Sequence, residues 1–181
     1  VSSTFIFLKC IDHQMQKIIN ILDLIGEKTG NLISWVAVLL AVLIGVDVII
    51  RYIFQFTFIW MIETEIYLFG ILFLLGSGYT FKYEKHVRVD VFYAKLSKKR
   101  RAWIDLLGGI CLLIPWCYVV IVTSWYYGFS SFMMNESSPQ PGGLPALYVL
   151  KFCITVGFIF LVIQGASQLL KSIQIIVSKE A

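Results

Sequence analysis

The sequence predicts an all-α integral membrane protein: four transmembrane helices with both termini on the inner side, preceded by an amphipathic interfacial helix. Three observations carry that prediction. The chain is 59% hydrophobic and 14% charged, with a mean hydropathy of +0.82, whereas soluble domains run at roughly 45–50% apolar and 25% charged. Its charges are gathered between four long apolar runs, and its basic residues are divided very unevenly among the segments that join them.

Residues 1–29 form the first element. Ile11, Met15, Ile18, Ile19, Leu22 and Ile25 recur at spacings of three and four, while Asp12, His13, Gln16, Lys17, Asn20, Asp23 and Glu27 fill the other faces. That period is helical and amphipathic, and it predicts a helix lying flat on the inner membrane surface. The apolar stretch 5–8 is too short for the core of a cleavable signal, so the first span is expected to act as its own insertion signal.

The spans follow. Residues 32–50 run for 19 positions with Asp47 as the single charge, 66–81 is an uncharged run of 16 extended outward by 56–62, 106–135 is an uncharged run of 30, and 152–170 one of 19. At about 1.5 Å per residue, roughly 20 residues cross a hydrocarbon core of about 30 Å. Each run therefore crosses once, giving spans at about 32–51, 60–82, 103–127 and 147–170 within a transmembrane domain of 30–171, followed by a tail over 172–181. The second span needs Glu63 and Glu65 at headgroup level. The third is longer than one crossing requires, which predicts tilt or projection beyond the membrane, with Pro115 as a kink site.

Orientation rests on the basic residues. Four crossings put the amino terminus, the 82–101 connection and the carboxy terminus on one side, and these hold 13 of the 15 Lys and Arg residues. Arg51 and Lys151 are left for the other side. The positive-inside rule then places both termini in the cytoplasm. The stretch "KYEKHVRVDVFYAKLSKKRR", 82–101, is thus an inner loop whose cations face anionic headgroups, at about 1 kcal/mol each. Tyr83, Phe92 and Tyr93 within it suit an interfacial belt, so membrane lipids, and no nucleic acid, are the expected contacts.

Little in the chain speaks for chemistry. Cys10, Cys111, Cys117 and Cys153 show no C-x-x-C spacing and read as small apolar residues. Both histidines, His13 and His86, lie outside the spans, which excludes paired haem ligands inside them. His86, Arg88 and Asp90 of "HVRVD" are too few donors on too cationic a loop for a metal centre, and an interfacial contact role is expected. No nucleophile with a base is visible, so neither an enzyme nor a cofactor is expected. Between the third and fourth spans, Glu136, Gly142, Gly143 and Pro145 belong to "NESSPQPGGLP", a turn-rich outer loop.

Inside the membrane the exceptional residue is Asp47. A carboxylate central in a span costs about 2.5–3.5 kcal/mol on insertion scales, and Arg51 stands at i+4 on the same face. The pair reads as an ion pair at the outer interface that Glu63 and Glu65 can join across the short 51–62 connection; a proton or ion relay is the competing reading.

Trp60 with Glu63 and Glu65, then "HVRVDVFYAKLSKKRRAWIDLLGG", then "ESSPQPGGLPALYVLKFCITVGFIFLVIQ", resemble in this order the small membrane subunit of tripartite ATP-independent periplasmic (TRAP) transporters, the DctQ-type family, over about residues 30–170. The resemblance implies an accessory permease subunit of the bacterial inner membrane. Its partners would be a large, elevator-type membrane permease subunit (DctM-type) that carries the substrate and sodium sites, and a periplasmic substrate-binding protein (DctP-type) that delivers an organic acid. The small subunit would be scaffold, and its interface or structural residues are expected among Asp47, Arg51, Trp60, Glu63, Glu65, His86, Arg88, Asp90, Glu136, Gly142, Gly143 and Pro145. The alternative is a self-contained four-helix, proton-coupled exporter acting as a homodimer, with Asp47 or Glu63 as coupling carboxylate.

Overall fold

The computed structural model describes residues 2–83 and 96–177. Helix α1 runs Ser2–Phe54, α2 Ile59–Lys82, α3 Lys98–Gly108, α4 Ile114–Met133 and α5 Tyr148–Val177, and a π-helical turn, Gly109–Leu113, joins α3 to α4. Among the described residues no strand occurs. Among these residues four helical runs, from α1, α2, the joined α3–α4 and α5, are long and apolar enough to cross a membrane.

Helix α1 departs from the simplest reading of its sequence. The amphipathic stretch and the first span form one uninterrupted helix of 53 residues, about 80 Å long at 1.5 Å per residue. No proline lies between Ser2 and Phe54 to break it. Asp23, grouped by its period with the water-facing residues, instead turns toward α5 and bonds there.

The joined α3–α4 run covers Lys98–Met133, 36 residues. Its irregularity sits where Pro115 demands one. The Pro115 nitrogen cannot donate, and its ring crowds the preceding turn. The chain responds by widening that turn: the Ile114 N–H bonds to the Gly109 carbonyl five residues back, a π-bulge of the kind that relieves such crowding. At its carboxy-terminal end α4 closes in a Schellman motif. Asn135 takes the left-handed conformation at φ 47°, its N–H bonds Phe132 O at 3.1 Å, and the Glu136 N–H bonds Ser131 O at 3.1 Å.

Helix α5 is the centre of the bundle, packing on α1, α2, α3 and α4. Its pairing partners rise in register with α2, where Leu74 faces Gly157 and Gly78 faces Phe160. The two helices are therefore parallel. They fall in opposite register along α4 (Ser124 with Thr155, Phe132 with Tyr148) and along α1 (Gln16 with Gln174, Asp23 with Ser167), so those pairs are antiparallel. This is the alternation that four successive crossings require, and it brings the amino-terminal part of α1, the ends of α2 and α5 and the start of α3 to one side, the side that the cations predict to be inner, with the loop 134–147 on the side predicted to be outer.

Burial is inverted relative to a soluble bundle. Beside Ile19, Ile33, Leu40 and Met61, the buried positions are mostly small or polar: Ala102, Cys117, Ser124, Ser131, Thr155, Gln164, Ser167 and Ser172. Large apolar side chains such as Trp35, Tyr52, Phe73 and Leu112 point outward. In lipid there is no hydrophobic gain from burying leucine against leucine, so helices associate through close packing of small residues and through hydrogen bonds.

The alternation of helices and the distribution of cations together predict where single cysteines react. In a background with Cys10, Cys111, Cys117 and Cys153 replaced, a cysteine at Ser97 is expected to react with a membrane-impermeant maleimide only from the cytoplasmic side. A cysteine at the exposed Gln140 of the outer loop should react only from the opposite side. The reverse pattern would discard the assigned orientation.

Candidate functional site

Among the described residues polar side chains gather at three main places, two of which tie helices together. The innermost is centred on Asp23. Its Oδ1 accepts from Ser167 Oγ at 2.6 Å and Gln164 Nε2 at 3.0 Å, and its Oδ2 from Lys171 Nζ at 2.7 Å. Its backbone carbonyl accepts from Lys82 Nζ at 3.0 Å, and Lys82 lies 3.6 Å from Glu27. Three α5 donors at spacings of three and four share one helix face, so a single carboxylate fastens α1 to α5 and, through Lys82, to α2. The remaining Gln164 oxygen is buried without a partner and faces Gly26 in a small cavity between α1, α2 and α5.

The second gathering shapes the outer loop, 134–147. Glu63, in the second turn of α2, accepts from the Ser138 hydroxyl with Oε1 and from the Leu144 N–H with Oε2, pinning the loop over the start of α2. Gly143 packs against Ser138 and Glu63 so tightly that a side chain there would displace them. Gly142 adopts φ 81°, which favours glycine, and Pro145 lies exposed beside it. Glu136 accepts at 2.5 Å from both Ser131 Oγ and Lys151 Nζ. Lys151, buried in the first turn of α5, also sits 3.9 Å from the centre of the Tyr127 ring. A cation at a helix amino terminus opposes the helix dipole, and Glu136 offsets it. The hydrogen bonds from Lys151 and Ser131 hold the Glu136 carboxyl below the usual carboxylate range. A depressed folded value means that this contribution is present above the ordinary carboxylate pKa of about 4.3 and is lost as pH falls through the depressed one.

The third lies between the outer halves of α1 and α2. Arg51 Nη2 donates to Asp47 Oδ2; Asp47 is buried and Arg51 half exposed. Glu65 lies close enough to feel both charges. Asp47 Oδ1 and Glu65 Oε1 are buried without hydrogen-bond partners. Of the two glutamates that the sequence offers to this pair, then, Glu65 stands beside it and Glu63 is turned to the loop. Trp60 is exposed at the start of α2, its ring 5.9 Å from that of Phe58, which meets Phe56 edge-on at 4.8 Å. That grouping is the kind of aromatic belt found at a membrane boundary. His86, Arg88 and Asp90 lie outside the described residues.

Sequence reasoning missed Asp23, Lys82, Gln164, Ser167 and Lys171, and it read Lys151 only as a charge. A signal was present: Gln164, Ser167 and Lys171 mark one polar face on an otherwise apolar helix. Among the described residues no group of three or more His, Cys, Asp or Glu is placed to hold a metal ion.

Comparison with known proteins agrees with the helix pattern. A family model described as the DctQ component of tripartite ATP-independent periplasmic transporters matches residues 40–175. The C4-dicarboxylate TRAP transporter small permease protein DctQ of Vibrio cholerae is 24% identical over 106 residues, 59% of this chain and 45% of that protein. A putative TRAP transporter small permease protein of Haemophilus influenzae is 32% identical over 108 residues, 59% of this chain and 64% of the relative. The matched stretch thus spans about half the length of the curated relatives.

The inner gathering predicts a stability ranking. Asp23→Ala leaves Lys171, Gln164 and Ser167 without their acceptor and is expected to destabilise the purified chain by about 1–3 kcal/mol. Asp23→Asn, which keeps one acceptor oxygen, should lose less. Thermal unfolding in detergent checks this, and an Asp23→Ala protein melting with the wild type would show that the carboxylate is not a fastening point.

Proposed function

The chain belongs to the DctQ-component family of tripartite ATP-independent periplasmic transporters, and on that premise we propose that it is the small accessory permease subunit of such a transporter in a bacterial inner membrane. In this reading it scaffolds a large elevator-type subunit during sodium-coupled uptake of an organic acid delivered by a periplasmic binding protein. Both termini lie in the cytoplasm, with the amphipathic stretch 1–29 continuing the first span on the inner side of the membrane.

One observation supports the scaffold role above others. The charged side chains Asp23, Glu63, Glu136, Lys151 and Lys171 are all engaged in joining one helix, or the outer loop, to another. Long apolar faces are left outward on every span. A bundle fastened at both ends and oily outside is suited to standing still against a moving neighbour. The exporter reading has one observation in its favour, the unpartnered oxygens of Asp47 and Glu65. They flank an arginine at the edge of the bundle, an arrangement that suits an ion pair better than a path.

Two measurements test the proposal. Reconstituted alone in liposomes under a sodium gradient, with the binding protein and labelled solute outside, the chain is expected to give no uptake above protein-free vesicles. Adding the large subunit should restore uptake, and robust uptake by the small chain alone would establish the exporter instead. In the assembled transporter, Asp47→Asn combined with Arg51→Gln should leave the sodium dependence of uptake unchanged even where assembly is reduced. Normal assembly with lost sodium dependence would make the pair a relay.

A further inference from the structure

The first turn of α3 is strongly cationic. Lys98, Lys99, Arg100 and Arg101 follow one another there. Arg101 turns back, its Nε donating to Leu96 O at 2.9 Å. Lys98, Lys99 and Arg100 are exposed, and among the described residues no carboxylate pairs with them. The first turn contains no acidic residue, and the Ser97 side chain does not cap it. Three cations therefore crowd a helix end that already carries positive potential, an arrangement that favours an external anion.

Helical register shows what lies beneath them. Ala102 is buried and fixes the inward face of α3, with Lys98 one turn before it. Lys99 stands one turn above Trp103 and two above Leu107, and Arg100 one turn above Ile104, by the i, i+4 rule. Trp103, Ile104, Leu107 and Ile110 are all exposed, each by about half of its surface. The same face thus offers two cations, then an indole N–H, then an apolar stripe descending toward the part of the bundle where Gly109 packs on Leu169 of α5. A soluble anion would use the cations and leave the stripe idle. An anionic glycerophospholipid uses both: its phosphate meets Lys99 and Arg100, and an acyl chain lies along Trp103, Leu107 and Ile110.

We propose that this face of α3 is a binding site for one anionic phospholipid. Basic clusters directly flanking a transmembrane segment gain affinity for anionic headgroups through each cation, and here the stripe adds apolar contact. The site lies on the side opposite the outer loop, apart from the three polar gatherings.

The test uses the full chain in detergent micelles supplemented with phosphatidylglycerol, phosphatidylcholine or inorganic phosphate, with retained lipid read by native mass spectrometry. Wild type is expected to retain phosphatidylglycerol in preference to phosphatidylcholine and to gain melting temperature from it, with no gain from inorganic phosphate. Lys99→Gln with Arg100→Gln should weaken phosphatidylglycerol retention about thirtyfold. A control of equal net charge, Lys17→Gln with Lys28→Gln, should leave it unchanged. Lys99→Arg with Arg100→Lys should restore retention and shows that loss is not misfolding. Equal loss in the control would reduce the effect to net charge and overturn the site. Equal retention of phosphatidylcholine would leave only an apolar groove, and equal protection by inorganic phosphate would make it a free-anion site; either result overturns the proposal.

Discussion

The bundle depends on how closely α2 and α5 approach. A side-chain carbon built at Gly157 would lie 2.8 Å from the Leu74 carbonyl oxygen, and one at Gly78 would lie 3.2 Å from that of Phe160. Backbone meets backbone at both points: at Gly157 a side chain has no room, and at Gly78 one would fit only if Phe160 gave way slightly. In a lipid solvent this proximity is what replaces an oily core, because dispersion between closely packed atoms and hydrogen bonds between helices are the available sources of cohesion. Once α2 and α5 are in contact, the rest of α5 presents Thr155 to Ser124 of α4 at 2.8 Å and Gln164, Ser167 and Lys171 to Asp23 of α1.

The consequence for function lies in where the charges end. Near the inner end Asp23 draws three helices together, and at the outer end Glu63 and Glu136 hold the loop against α2, α4 and α5. Relative motion of these helices would break charge-assisted bonds at one end or the other, and such bonds are the stronger kind. Among the described residues the outward faces carry no comparable fastening. They are apolar and rich in aromatics, suited to lipid or to another membrane protein, and this division between a bound interior and an open exterior underlies the scaffold reading.

Much of the fold was legible because lipid imposes simple rules on a sequence. Uninterrupted apolar runs and the position of thirteen cations were enough for the four spanning helices, and Pro115 marked where the third run becomes irregular. The interior was harder to read. Period analysis looks for apolar faces, whereas the buried face of α4 is Cys117, Ser124, Gly128 and Ser131, small residues at spacings of seven, four and three. Asp23 looked like one more polar residue on an amphipathic helix, since the partners of its carboxylate lie more than 140 positions away in the chain. Glu63 and Glu65 are two residues apart, so they point to different sides of α2. The sequence displays both carboxylates without the loop that captures one of them.

Rigidity is the physical content of the scaffold reading, and it can be measured directly. With the chain assembled with the proposed large subunit in nanodiscs, spin labels replacing the exposed Phe73 of α2 and Trp125 of α4 report the width of the bundle across α5. A single narrow distance distribution that stays the same when sodium and solute-loaded binding protein are added is the predicted result. A distribution that broadens or shifts during transport would show that the small subunit takes part in the motion, and would contradict the account.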